Sequence, residues 1–259
     1  VADVWASHHA DLALLESAEK GDAAFKALVV DGRVGGQTSG EASARRGYRH
    51  YLETLHRGQP AHGSGQDAFD AWANDVLAAH GEFQLLCALR RGAWGVEGLN
   101  RRVARLLQDE YLIAATGEWY LGRPVLVTRN DYELGLMNGD IGITLALPGP
   151  DGGWSLRVAF AASDGSGRIK WALPSRLQAV ETVFALTVHK SQGSEFTHAT
   201  LVLPDTMSPV LTRELVYTGI TRARRFLTIA SAGGRAVIER AVLAQVLRAS
   251  GLSAGFDAA

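Results

Sequence analysis

Two short polar runs in this sequence combine side-chain types that suit phosphate and sugar chemistry. The first is Thr187-Val188-His189-Lys190-Ser191-Gln192-Gly193-Ser194-Glu195-Phe196. It follows an apolar stretch and sets a hydroxyl, an imidazole, an ammonium, an amide and a carboxylate within nine positions. Backbone N–H groups, Thr187 and His189 suit phosphate oxygens, and Lys190 adds charge attraction. Glu195 repels anions and suits hydroxyl groups such as those of a ribose. The second run is Glu214-Leu215-Val216-Tyr217-Thr218-Gly219-Ile220-Thr221-Arg222-Ala223-Arg224-Arg225. Its apolar positions read as a helix over 215–223 packed on a sheet, with Arg222, Arg224 and Arg225 at its end. The helix dipole favours arginine there and is a sufficient reason for some of them. An arginine on a rigid element also suits a terminal phosphate and the charge that develops on it during transfer. Arg222 is the first choice for that role.

These runs need strands and helices to hold them. Residues 83–89 form an apolar strand ending in Arg90-Arg91-Gly92, with a helix beginning near Gly98. Strand, polar loop, helix is the unit of a mostly parallel sheet, whose ligands meet the carboxyl ends of the strands, so Arg90 stands where an anion would arrive. Strands are expected at 183–187, 199–203 and 226–230, and a terminal helix over 234–247. Residues 1–20 suggest a short helix carrying Trp5, Leu12, Leu14 and Leu15, and 23–30 fit a helix or a strand. Residues 31–66 are expected to be largely loops. Within them Arg45, Arg46, Arg49 and Arg57 surround Tyr48, Tyr51, Leu52 and Leu55, whose spacing is explained by the core-facing stripe of a helix without any ligand. Asp67 is the expected N-cap of a helix bearing Phe69, Trp72 and Val76.

Between residues 122 and 178 the pattern changes to short strands separated by Asn138-Gly139-Asp140, by the Gly/Pro-rich run at 148–153 and by the Gly-rich run at 164–167. A small antiparallel barrel inserted into an α/β domain is the economical reading. The domain expectation is therefore 1–121 and 179–259 as the two parts of one α/β unit, with 122–178 as the insert. Residues from 251 onward read as a frayed tail.

The totals exclude several classes. Of 259 residues, 47% are hydrophobic and 20% charged, with a net charge of -1, so no global basic field announces nucleic acid and any such site must be local. Cys87 is the only cysteine, which rules out an intrachain disulfide and a cysteine-rich zinc centre; it reads as a buried, inert thiol. The histidines show no ligand spacing, no metal site is expected, and turn capping accounts for Asp131, Asp140 and Asp205. No apolar stretch suits a membrane span, and a cytoplasmic protein is expected. The chain begins with Val and is expected to be a piece of a longer one. No Gly-Lys-Ser or Gly-Lys-Thr phosphate loop occurs.

The two polar runs resemble motifs V and VI of superfamily 1 helicases. With Arg129-Asn130-Asp131, the segment 134–142 and Leu173-Pro174-Ser175-Arg176-Leu177, the match narrows to the C-terminal part of the RecD subunits of bacterial exonuclease V. The resemblance covers about 83–252. It implies a second RecA-like motor domain with an inserted SH3-like barrel, in a 5′-to-3′ helicase that acts on single-stranded DNA and on double-stranded ends beside RecB-like and RecC-like subunits in recombinational repair. It implies that Arg90 lies near ATP phosphates, that Thr187 and His189 meet the DNA backbone beside Lys190, and that Gln192, Gly193 and Glu195 face nucleotide. Tyr217 would open the packed, cleft-facing side of motif VI and Arg222 would reach the γ-phosphate. ATP and Mg2+ would be cradled by a first RecA-like domain lying outside this sequence, so this chain alone is expected to be inactive. The competing reading is a single-stranded DNA-binding or subunit-docking module with no nucleotide role.

Overall fold

The computed structural model describes residues 10–14, 18–33, 45–114, 117–162 and 165–245. The first part of the chain runs β1 (Ala10–Leu14), α1 (Ala18–Asp31), α2 (Tyr48–Gly58), α3 (Gln66–His80), β2 (Phe83–Cys87) and α4 (Val96–Asp109). Short strands follow: β3 (Pro124–Val127), β4 (Ile141–Pro148), β5 (Trp154–Ala161), β6 (Ile169–Ala172) and β7 (Val180–Thr182). The last part is β8 (Ala185–Thr187), β9 (Phe196–Leu203), α5 (Arg213–Ile220), β10 (Ala223–Ser231) and α6 (Gly234–Leu243).

These strands make two sheets. One has the order β1-β10-β9-β2-β8 and is parallel throughout. The other has the order β6-β5-β4-β3-β7 and is antiparallel throughout. The chain leaves the parallel sheet after α4, builds the antiparallel one, and returns at β8. β2 and β8 are buried along their whole length, which explains why they read as unbroken apolar runs instead of alternating ones.

Asn100 of α4 fastens the edge strand β8. Its Nδ2 donates to the Ala185 carbonyl at 3.3 Å and its Oδ1 accepts from the Ala185 N–H at 2.9 Å. Tyr48 of α2 does similar work in the core: its hydroxyl donates to the Phe184 carbonyl and accepts from the Leu85 N–H at 3.3 Å.

Several expectations are corrected. Ala10–Leu14 is not helical but a strand paired in parallel with β10, Ala10 opposite Leu227. Leu12 and Leu14 stand two apart, the period of a strand. Residues 1–9 and 15–17 lie outside the described residues, as do 34–44 and the tail from 246. Within 31–66, Tyr48–Gly58 is helical with Tyr48, Tyr51, Leu52 and Leu55 all buried, the core-facing stripe that their spacing predicts. Gly65, not Asp67, is the N-cap of α3; Asp67 sits in the first turn, where its charge meets the positive end of the helix. β7, which the sequence places in the returning α/β part, pairs antiparallel with β3.

The helix expected over 215–223 ends at Ile220, and β10 begins at Ala223. Arg224 and Arg225 therefore belong to a strand, in the stretch where the register with β9 breaks between Ala223 and Phe226.

Candidate functional site

Because all five strands of the first sheet point the same way, its polar groups fall on two opposite edges. At the carboxyl edge, β2 leads into Arg90 and β8 leads into Val188, His189 and Lys190; Cys87 and Thr187 stand side by side in register. Glu181 of β7 joins the two loops. Lys190 Nζ bonds to its carboxylate, and Arg90 Nη2 lies 3.9 Å from the other oxygen. The loop after Arg90 is tight: Glu97 N–H donates to the Arg90 carbonyl at 3.1 Å, and a Cβ on Gly98 would lie 2.3 Å from the Gly92 carbonyl oxygen.

The loop after β8 is built as a series of turns. Thr187 Oγ1 accepts from the Lys190 N–H at 3.3 Å, and Ser191 Oγ donates to the Val188 carbonyl at 2.8 Å. Ser191 is buried, while His189 and Lys190 face solvent. Only 8% of Thr187 is exposed, so it shapes the turn that presents His189 and Lys190 instead of presenting itself.

The amino edge carries the second group. Gly193, at φ +86°, turns the chain toward β9 with Gln192, Ser194 and Glu195 exposed. The left-handed φ is what glycine permits there. The Phe196 N–H donates to the Arg222 carbonyl at 2.8 Å, so the starts of β9 and β10 are bonded together.

The Arg222 guanidinium is held by three neutral oxygens. Nε donates to the Thr218 carbonyl at 3.2 Å, Nη1 to the Ser194 carbonyl at 3.1 Å and Nη2 to Thr221 Oγ1 at 3.1 Å. Thr218 lies in the last turn of α5, where free carbonyls concentrate negative potential. Its charge is oriented by these contacts, and among the described residues no carboxylate pairs with it. Glu195 instead pairs with Arg224, Nε to Oε2 at 3.0 Å, and Arg225 lies over the Phe226 ring at 4.8 Å.

Tyr217 is 68% exposed, which corrects the expectation that it packs on the sheet. The buried face of α5 is Leu215, Val216 and Gly219, and a Cβ on Gly219 would lie 3.0 Å from Leu201 Cδ1. The absence of a side chain lets the helix approach β9 closely.

Arg90 stands at the carboxyl edge beside Lys190, at the strand end where the sequence places it, and Arg222 stands at the amino edge. Glu181, which links Arg90 to Lys190, escapes sequence reasoning because only the pairing of β7 with β3 brings it there. The basic stretch around α2 is structural: Arg49 bonds Asp31 at 2.8 Å and Glu110 at 2.6 Å, and Arg57 pairs with Glu53 at 3.2 Å. Burial pushes the Cys87 thiol up to about 12, which removes it as a nucleophile. Asp131 and Asp140 cap turns, accepting from the Leu134 N–H at 3.0 Å and the Met137 N–H at 2.8 Å.

Residues 182–230, which span β8 to most of β10 and hold both polar loops, match the UvrD-like helicase C-terminal domain. Over 178 residues, 69% of this chain, the sequence is 43% identical to the RecBCD enzyme subunit RecD of Mycolicibacterium smegmatis, covering 30% of that protein. It is 38% identical over 184 residues to the RecBCD enzyme subunit RecD of Haemophilus influenzae, covering 70% of this chain and 26% of that protein. The chain belongs to the RecD family. A more distant relative, the ATP-dependent RecD2 DNA helicase of Deinococcus radiodurans, is 34% identical over 159 residues, which is 60% of this chain and 21% of that protein. The chain thus spans less than a third of the length of the RecD proteins it matches. No helix among the described residues is long and apolar enough to cross a membrane.

Proposed function

We propose that this chain is the second motor-domain part of an ATP-dependent DNA helicase subunit of the exonuclease V type, translocating 5′ to 3′ on DNA ends during double-strand-break repair. In this reading the parallel sheet is a RecA-like domain, residues 122–178 form an inserted SH3-like barrel, and RecB-like and RecC-like subunits are the partners. A first RecA-like domain supplies the phosphate loop and the acids for Mg2+, and ATP lies between the two domains. The similarity to RecBCD enzyme RecD subunits and to an ATP-dependent RecD2 DNA helicase supports the helicase and the complex.

The observation that carries the reading is the separation of charge across one parallel sheet. Among the described residues Arg222 is fixed at the amino edge by neutral acceptors only, which leaves its charge available to a nucleotide's terminal phosphate. Gln192, Gly193, Glu195 and Tyr217 stand on the loops and helix around it. His189 and Lys190 at the carboxyl edge face a DNA backbone, and Arg90 joins them there by position instead of joining Arg222. Such a split lets nucleotide and DNA bind at once without competing for the same cations.

The purified chain should bind single-stranded DNA with a salt-dependent affinity and show no appreciable ATP turnover. Turnover at the rate of a complete subunit would overturn the claim that the phosphate cradle comes from elsewhere. DNA binding that His189→Ala and Lys190→Ala leave unchanged would overturn the carboxyl-edge assignment.

A further inference from the structure

Beside the edge strand β8 lies a cleft of about 380 Å³, walled by α4, by residues 117–123 and by Thr182 of β7. Among the described residues, Arg101, Arg105 and Arg123 all line it, against Glu118 as the one acid. Arg101 and Arg105 are one helical turn apart and exposed, and neither forms an ion pair among the described residues. Like charges at that spacing repel, so the pair gives the helix nothing by itself.

Arg123 is held in a fixed pose. Its Nε donates to Thr182 Oγ1 at 3.0 Å, one Nη bonds the Glu118 carbonyl, and its guanidinium lies 4.6 Å from the Trp119 ring centre. These polar partners are neutral. Burial is the main cause lowering its pKa, which marks a cation partly stripped of water.

β7 connects this cleft to the carboxyl edge. Neighbouring residues of a strand point to opposite faces. Glu181 turns to one side and meets Lys190 and Arg90, while Thr182 turns to the other and meets Arg123. The two basic surfaces are therefore separated by one strand.

We infer that the Arg101–Arg105–Arg123 cleft is a second DNA-backbone site, which takes phosphates of a single strand continuing past His189 and Lys190 around β7. A phosphodiester chain fits because its charges repeat along a line and can reach both surfaces, whereas a single small anion would fill only one. The inference rests on the carboxyl edge being DNA-facing.

The test is the salt dependence of binding for a short oligothymidylate that spans one surface and a long one that spans both, measured by fluorescence anisotropy on this chain. R101Q/R105Q should weaken the long oligomer roughly tenfold at low salt and make its log–log salt slope shallower by about 1.4, two phosphates' worth, with the short oligomer little changed. R101K/R105K should restore the slope, which separates charge from folding. An unchanged slope for the long oligomer in R101Q/R105Q would overturn the site, as would equal losses for both lengths. Full competition by inorganic pyrophosphate without effect on the long oligomer's slope would also overturn it, in favour of a small-anion pocket. If instead Lys190→Ala and His189→Ala are silent while R101Q/R105Q weakens binding, the cleft binds DNA and the carboxyl-edge reading is the one that fails.

Discussion

Arg222 Nη1 donates to the Ser194 carbonyl at 3.1 Å, which locks the turn before β10 to the loop before β9. Two segments that are 28 residues apart in sequence thereby act as one rigid wall around a guanidinium. An arginine so constrained loses little conformational freedom when it meets an anion.

In a full-length subunit, Arg222→Ala should cut ATP turnover by about 10³ or more while single-stranded DNA affinity falls less than about threefold. Arg222→Lys should fail similarly, since an ammonium cannot reproduce the three-way hold on Thr218, Ser194 and Thr221. Parallel steady-state ATPase and equilibrium DNA-binding assays separate the effects. Equal losses in both would move Arg222 to a folding or DNA role.

Asn100→Ala should destabilise the chain by about 1–3 kcal/mol, because it strips partners from both backbone groups of Ala185 on an edge strand. Asn100→Asp should recover little, as it keeps the acceptor but loses the donor. Urea denaturation followed by circular dichroism reads both, and a change within about 0.5 kcal/mol for Asn100→Ala would show that water replaces the amide.

Tyr111 follows α4 at φ +57° and is 95% exposed. Its N–H donates to the Gln108 carbonyl at 2.9 Å and the Leu112 N–H to the Leu107 carbonyl at 2.9 Å, a helix end in which glycine is the usual residue. Tyr111→Gly should therefore stabilise the chain by about 1 kcal/mol, seen as a raised thermal midpoint. A lowered midpoint would mean that the ring is held by contacts in the native protein.

Acid should weaken the fold well before most carboxylates are protonated. Burial lowers His80 to about 4, and burial together with Arg45 lowers His198 to about 3, against an ordinary 6.5. As pH falls below 6.5 the unfolded chain takes up protons that the native state refuses, so stability is intact above that pH and is lost toward 4. Each histidine contributes a slope of up to about 1.4 kcal/mol per pH unit in that window. Denaturation midpoints between pH 7 and 4 measure it, and His80→Leu should flatten the curve. A pH-independent midpoint over that range would contradict the buried, neutral state of both rings.

Much of this architecture is legible in the residues, for a definite reason. Strands buried on both faces, such as β2 and β8, need continuous apolar runs, and the turns between β3 and β6 need Gly, Pro and Asn. Arg222 and His189, proposed here for nucleotide and for DNA, are picked out by residue type and spacing alone. What misleads is periodicity at boundaries: the apolar spacing of α5 runs on into β10, and only a change of backbone direction assigns Arg224 and Arg225 to a strand. Arg90 stands at the strand end where the sequence places it, but sequence order does not say that Arg222 lies at the opposite edge of the same sheet. Glu181 depends on strand pairing alone.

The bond from the Phe196 N–H to the Arg222 carbonyl has a mechanical meaning. It ties the amino ends of β9 and β10 together just where their register is irregular, so a pull on the arginine is shared by two central strands at once. β9 in turn borders β2, which leads into Arg90 at the opposite edge. The arginine at the amino edge is thereby joined, through the ladders of β10 with β9 and of β9 with β2, to that strand.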